Sequence, residues 1–252
     1  MLKTRVIPTL LYRDFTLVKG VQFDSRRVVG SPVQAVQVYN LRNVDELIFL
    51  DVRATLDERR PDFELIDEIA DHCFMPLCVG GGVRSVDDVR DLLAVGADKV
   101  ALNTAAVEDP ELVRRASERF GAQCVVVGID TRRDPNGVAT VWTASATHDS
   151  GLDPVVWARE VEALGAGEIL LQSIDHDGVM EGFDLDTIAR VSAAVNVPVI
   201  ASGGAGEFDH LVAAVVDAGA SAVAAASMFH FTQQTPMEAK QHLAACGIPT
   251  RV

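Results

Sequence analysis

Basic residues are scarce in this chain. Its 252 residues include 22 Lys and Arg against 36 Asp and Glu, a formal net charge of -14. Nucleic-acid and acidic-membrane surfaces are bound through a basic footprint, so this balance argues against both as partners. The acidity reads instead as solubility of exposed helices. Cysteine is sparse as well. Cys73, Cys78, Cys124 and Cys246 show no metal-ligand spacing. Cys78 and Cys124 stand in apolar, strand-like runs, where small buried residues are expected. His72, His148, His176, His210, His230 and His242 also lack ligand spacing. Neither a metal nor a cofactor is therefore expected. The opening MLKTRVIPTLLYRD has too short an apolar run for a secretory signal. No segment approaches the roughly 20 apolar residues of a membrane span. A cytoplasmic protein in a reducing compartment is the expectation from these absences.

What is present is repetition. CVGGG at 78–82 is answered by VIASGG at 199–204, and GADKVALNTAAV at 96–107 by GASAVAAASMFH at 219–230. Gly81 and Gly204 are 123 positions apart, as are Thr104 and Ser227. A repeat of that size implies two half-domains of about four strand–helix units each.

Short apolar runs recur along the chain: 5–11, 46–52, 76–81, 99–103, 124–130, 168–174, 197–203 and 222–227. Near-continuous apolar character over so few residues is typical of parallel strands buried on both faces. Helical grammar separates them. SVDDVRDLLAVGA (85–97) opens on a Ser cap, while DPELVRRASERFG (109–121) and DPVVWAREVEALGAG (153–167) each open on Asp-Pro. Eight strands alternating with helices predict an α/β fold, one (β/α)8 TIM barrel over 1–252. Its half-barrels are expected at about 1–122 and 123–252. A doubly wound open sheet is the alternative, disfavoured by two equal halves. Trp142 and Trp157 are expected to be packing residues. Long segments at 12–31 and 131–152 follow strands one and five and belong over the C-terminal mouth. PNG at 135–137 predicts a small hairpin in the second.

A glycine pair at one strand end and a hydroxyl residue at the next make an anion cradle, because backbone amides and helix N-termini favour negative charge. Gly81 and Gly82 with Asn103 and Thr104 form one candidate; Gly203 and Gly204 with Ser227 form the other. Two cradles in one barrel imply a substrate with phosphate at each end. Carboxylates at C-terminal strand ends are Asp51, Asp130, Asp175 and Asp177, of which Asp130 is the best candidate for acid–base work. Aligning VIPTLL (6–11) with VVVGID (125–130) sets Leu11 opposite Asp130, and leucine transfers no proton. At the other end of the barrel Arg5, Glu46, Lys99 and Glu168 begin strands and could pair into a ring closing the floor. A solvated rim is the plainer alternative for the four.

These residues resemble the cyclase subunit of imidazole glycerol phosphate synthase, the HisF-like barrel of histidine biosynthesis. The likeness runs through RVIP (5–8), LVKG (17–20), VDELIFLD (44–51), VGGG (79–82), ADKVALNTAAV (97–107), GAGEILLQSIDHDG (165–178), ASGGAG (201–206) and AASMFHF (225–231). The resemblance implies a HisH-like glutaminase on the barrel floor, with ammonia crossing a charged gate to a bisphosphate ribulosyl substrate. There it closes an imidazole ring and releases an aminoimidazole carboxamide nucleotide. By the same resemblance Arg5, Glu46, Lys99 and Glu168 are the gate, and Asp45, Asp98 and Gln123 lie on the docking face. Lys19 is in the loop over the mouth. Gly82, Asn103 and Thr104 hold one phosphate; Asp177, Gly178, Gly204 and Ser227 hold the other. Asp130 is one catalytic aspartate, and Leu11 stands where the family places the second. TASATH (143–148) also departs from the family pattern. IPTLL, VGSPVQAVQVYN (29–40) and HCFMPLCVGGG (72–82) resemble a paralogous branch. In that branch a cyclase-like barrel and a glutaminase supply ammonia to a third enzyme, which amidates an N-acetyl sugar for surface polysaccharide. Three readings are carried forward: a cyclase-type barrel with chemistry altered at Leu11, an ammonia-channel and docking subunit, and an ordinary histidine-biosynthesis cyclase.

Overall fold

The computed structural model describes residues 3–251. Eight parallel strands form its centre: β1 (Arg5–Arg13), β2 (Leu47–Asp51), β3 (Leu77–Gly80), β4 (Lys99–Leu102), β5 (Val125–Arg133), β6 (Glu168–Ser173), β7 (Val199–Ser202) and β8 (Ala222–Ala225). Each pairs with the next, and β8 pairs with β1 at Arg5–Ala222 through Pro8–Ala225, so the sheet closes on itself. The fold is the expected (β/α)8 barrel, and the open-sheet alternative is overturned by the β8–β1 pairing.

Eight helices surround the strands: α1 (Pro32–Leu41), α2 (Phe63–Asp71), α3 (Val86–Ala94), α4 (Glu111–Phe120), α5 (Pro154–Ala163), α6 (Leu185–Ser192), α7 (Phe208–Val216) and α8 (Pro236–Ala245). Their starts follow the sequence signals. Ser85 accepts from the Asp88 N–H, Asp153 from Val155 and Val156, and Asp184 from Thr187, each satisfying backbone donors that a helix leaves free. One start differs: Pro110, not Asp109, occupies the cap of α4 and has helical φ of -56°.

Alternation along the strands sorts the core into two layers. Val6, Leu47 and Val127 face outward and pack under the helices with Trp157 and Leu243. Ile7, Ile48, Cys78, Ala101, Val126, Leu170, Ile200 and Ala222 face the lumen. Cys78 is thus the buried small residue expected, and burial pushes its thiol up. Cys124 departs from expectation: it is half-buried in a 3-10 turn before β5, outside the apolar strand.

Both long segments are hairpins. β1 runs to Arg13 and pairs with an antiparallel strand at Thr16–Val21, which pairs in turn with Asp24–Gly30. β5 runs to Arg133 and pairs with Ala139–Thr143, placing the PNG turn where the sequence set it. The same elaboration follows the first strand of each half, and both hairpins rise over the mouth.

Candidate active site

At the mouth, Asp130 ends the apolar part of β5. The Asn103 side chain donates to its Oδ2 at 2.8 Å. Burial is the main cause that pushes its pKa up to about 7; Asn103 opposes the rise and the negative charge of Asp177 adds to it. A carboxyl that titrates near neutrality can both take and give a proton at working pH. The other strand-end carboxylates are committed elsewhere. Asp51 accepts from the Arg53 and Ala54 N–H groups at 2.9 Å and pairs with Arg59. Asp175 accepts from the Arg133 N–H at 2.8 Å. Asp177 holds Lys19 at 2.6 Å.

Leu11 is the structural counterpart of Asp130. Leu11 pairs with Leu50, four residues after Glu46, and Asp130 pairs with Gln172, four residues after Glu168. Leu11 is buried and borders both mouth cavities.

The first cavity, about 1030 Å³ including its open front, contains Gly81, Gly82, Asn103, Thr104 and Asp130. Thr104 opens a short helix (Thr104–Glu108), and its hydroxyl accepts from the Ala144 N–H at 3.0 Å. Ala144, Ser145 and Ala146 are consecutive left-handed residues, with φ of 51°, 54° and 65°. That turn brings the TASATH segment across the cavity, where the Ser145 hydroxyl donates to the Val52 carbonyl at 2.8 Å. The departure of TASATH from the family pattern gives no hint in the sequence of this reach to Thr104.

The second cavity, about 350 Å³, contains Lys19, Asp177, Gly178, Gly203, Gly204 and Ser227. Ser227 opens another short helix (Ser227–Phe231), and its buried hydroxyl has no partner among the described residues. A Cβ on Gly204, at φ of 120°, would lie 2.0 Å from the Gly182 carbonyl oxygen, so only glycine fits. The structure also refines the repeat. The pairs Gly81–Gly82 and Gly203–Gly204 each follow the last residue of their strand, Gly80 and Ser202, so they correspond at an interval of 122. The hydroxyl residues Thr104 and Ser227 keep 123. The hairpin after β1 lies against this cavity: the Gln22 N–H donates to the Asp177 carbonyl at 2.7 Å, and Lys19 is 2% exposed. His176 bonds the Ser173 hydroxyl through Nδ1 at 2.8 Å, and His148 is exposed on the second hairpin.

At the floor the four strand-start charges do form a ring. Lys99 Nζ donates to Glu46 at 2.9 and 3.0 Å and to Glu168 at 3.0 Å. Arg5 donates to Glu168 at 3.1 Å and also to Glu46. Positive and negative groups alternate, and the apolar lumen layer lies directly above. The solvated-rim alternative is not what the structure holds, since each of the four side chains is at most 17% exposed.

The residues expected on a docking face divide. Asp98 and Gln123 are exposed at the floor, where Asp98 accepts from the Leu77 N–H at 2.8 Å and Gln123 reaches the Phe120 carbonyl. Asp45 is not on that face. Its carboxylate is 2% exposed and turned into the wall, accepting from the Val6 N–H at 3.0 Å and from Lys240 at 3.3 Å. Asp45 lies in a bend just ahead of β2, where its side chain turns to the Val6 N–H and the Lys240 ammonium.

Among the described residues no group of three His, Cys, Asp or Glu side chains could hold a metal ion, and no helix is long and apolar enough to cross a membrane.

The histidine biosynthesis protein family matches residues 5–235 of the chain. Two proteins from Caulobacter vibrioides, strains NA1000 / CB15N and ATCC 19089 / CIP 103742 / CB 15, are each named imidazole glycerol phosphate synthase subunit HisF. Each is 50% identical over 253 aligned residues, covering 100% of this chain and 97% of the relative. With a closed barrel, two glycine–hydroxyl cradles and this full-length likeness, the chain belongs to the HisF family of imidazole glycerol phosphate synthase subunits, lyase-type cyclases of histidine biosynthesis.

Proposed function

We propose that this barrel receives ammonia from a glutaminase docked on its floor and delivers it to a phosphorylated acceptor at its mouth. The observation that carries the reading is Asp130. It is a half-buried carboxyl with a pKa raised to about 7, standing in one cavity with a glycine–hydroxyl cradle while a second cradle opens alongside. Gly81, Gly82, Asn103 and Thr104 would grip one phosphate of the acceptor. Gly178, Gly203, Gly204 and Ser227 would grip the other, with Lys19 and Asp177 at its edge. The Ser227 hydroxyl, unpartnered among the described residues, would donate to that phosphate. The Arg5–Glu46–Lys99–Glu168 ring would act as the ammonia gate. Being shut in this state, it must part for a neutral molecule to enter the lumen. Asp98 and Gln123 would contact the glutaminase. The two half-barrels, about 1–122 and 123–252, are the units that set the two phosphate sites on opposite sides.

Leu11 leaves one carboxylate where a two-sided proton transfer needs two. Loss of one positioned acid or base costs about 10²–10⁴-fold in rate. Cyclase chemistry altered at this point is therefore the finer reading. The test combines the chain with its glutaminase, glutamine and the ribulosyl bisphosphate substrate of the family. Slow, Asp130-dependent release of imidazole product supports the altered cyclase. Glutamine hydrolysis stimulated by the barrel with no product at all would sink it in favour of ammonia transfer to another protein. Fast product formation that survives Asp130→Asn would remove Asp130 from the mechanism.

A further inference from the structure

Asp45 and Lys240 form a buried ion pair that no step above uses. Lys240, in the middle of α8, is 1% exposed. Its ammonium donates to the Asn43 carbonyl at 2.7 Å and to Asp45 Oδ1 at 3.3 Å. The other carboxylate oxygen accepts the Val6 N–H of β1 at 3.0 Å. The residues next to these in sequence are the gate: Arg5 precedes Val6 and Glu46 follows Asp45.

The strand register explains why a side chain is needed here. Parallel pairing of β1 with β2 runs from Thr9–Ile48 to Tyr12–Asp51 and does not extend to the floor. Below Thr9 the Asp45 carboxylate replaces a backbone carbonyl as the acceptor for Val6. The C-terminal segment supports the same corner. Thr4 N–H donates to the Pro249 carbonyl at 2.7 Å, and the Thr250 hydroxyl donates to the Lys240 carbonyl at 3.1 Å. A buried ion pair is a poor source of net stability, since desolvation offsets attraction, but it admits one geometry.

The geometry points to Asp45 and Lys240 as positioning residues of the gate, a brace on the outer wall that holds the neighbouring Arg5 and Glu46 in contact within the ring. The inference rests on the gating reading above. It replaces a docking role for Asp45, whose carboxylate faces no partner.

The test uses the double variant Asp45→Asn/Lys240→Met, which removes both charges at nearly constant volume and leaves no unpaired ion. Single variants risk misfolding for that reason. In the isolated chain, nitrogen-15 NMR reads rotation of the Arg5 guanidinium, with exposed Arg114 as internal control. At least tenfold faster rotation at Arg5, unchanged rotation at Arg114 and a retained circular dichroism spectrum are expected. Arg5 rotation unchanged in a folded double variant would overturn the proposal, because a merely structural pair would leave the ring intact. In the complex with glutaminase, glutamate formed per product is compared with Lys99→Met, a direct lesion of the ring. A rise of at least twofold in both variants supports the brace. A rise with Lys99→Met alone overturns it. No rise with either overturns the gating reading, and the inference with it.

Discussion

Lys19 Nζ lies 2.6 Å from Asp177 Oδ1, with both side chains buried, so the hairpin after β1 is fastened to the loop after β6 by an ion pair beside the second cradle. Breaking one side of such a pair leaves an uncompensated charge, at a cost of about 3–5 kcal/mol. Here the hairpin can lift and let water in, so the loss falls on the hairpin and not on the barrel. In Asp177→Asn, amide hydrogen exchange over Leu17–Val21 should rise by at least tenfold while β2 and β7 keep their protection. Equal loss of protection in the barrel strands would mean that the pair supports the whole fold.

Asp130 sets a pH dependence whose sign is fixed by its raised pKa. The folded chain holds a proton at this site that the unfolded chain has released once pH passes the ordinary aspartate range. Stability therefore falls as pH climbs from about 4 to about 7, and the penalty is constant above that. Asp130→Asn carries no such penalty. Its urea midpoint should exceed that of the parent chain at pH 8, and the gap should shrink markedly at pH 5. An equal gap at the two pH values would show that Asp130 titrates normally.

Restoring a carboxylate at the Leu11 position tests the asymmetry directly. Leu11 and Asp130 hold equivalent register in the two halves, so Leu11→Asp sets two acids across one mouth. Product formation in the presence of ammonium and the ribulosyl bisphosphate should rise by about 10²–10⁴-fold if this group is all that is missing. No gain in a folded variant would mean that the surrounding pocket, including the Ala144–Ala146 turn, has changed with it.

The barrel was legible because its signals are local. Apolar runs of the right length and Asp-Pro helix starts each specify an element without reference to distant residues, and the half-length repeat then sets their number in each half. The lumen ring was legible too, since charges at the first residue of β1, β4 and β6, and just ahead of β2, must meet when the sheet closes. The hairpin over 16–30 was not read, because its strands carry charged residues and lack a continuous apolar run. Nor was the pairing of Lys19 with Asp177, 158 positions apart, although both residues were singled out. Asp45 was misplaced because likeness to a family fixes a position along the chain and not the direction of a side chain. Ala144–Ala146 give no sequence cue for left-handed backbone, which glycine or asparagine would have supplied.

The second cradle depends on the absence of one atom. At Gly204 a methyl group would meet the Gly182 carbonyl oxygen at 2.0 Å, the Gly182 carbonyl carbon at 2.6 Å and the His176 Cβ at 3.1 Å, in a backbone conformation that alanine rarely adopts. Two of those three atoms are backbone, so the turn itself must move. Gly204 also accepts the Gly182 N–H at 2.9 Å, and displacing it breaks the link that orients this strand end. Gly204→Ala should therefore lower thermal stability and weaken inorganic phosphate binding at the second cradle by at least tenfold. Binding at the first, around Gly82 and Thr104, should persist, because a Cβ at Gly204 meets only Gly182 and His176 among its nearest neighbours. Titration with phosphate, followed by amide chemical shifts at Gly82 and Ser227, separates the two sites; equal weakening at both would show that the cradles act as one.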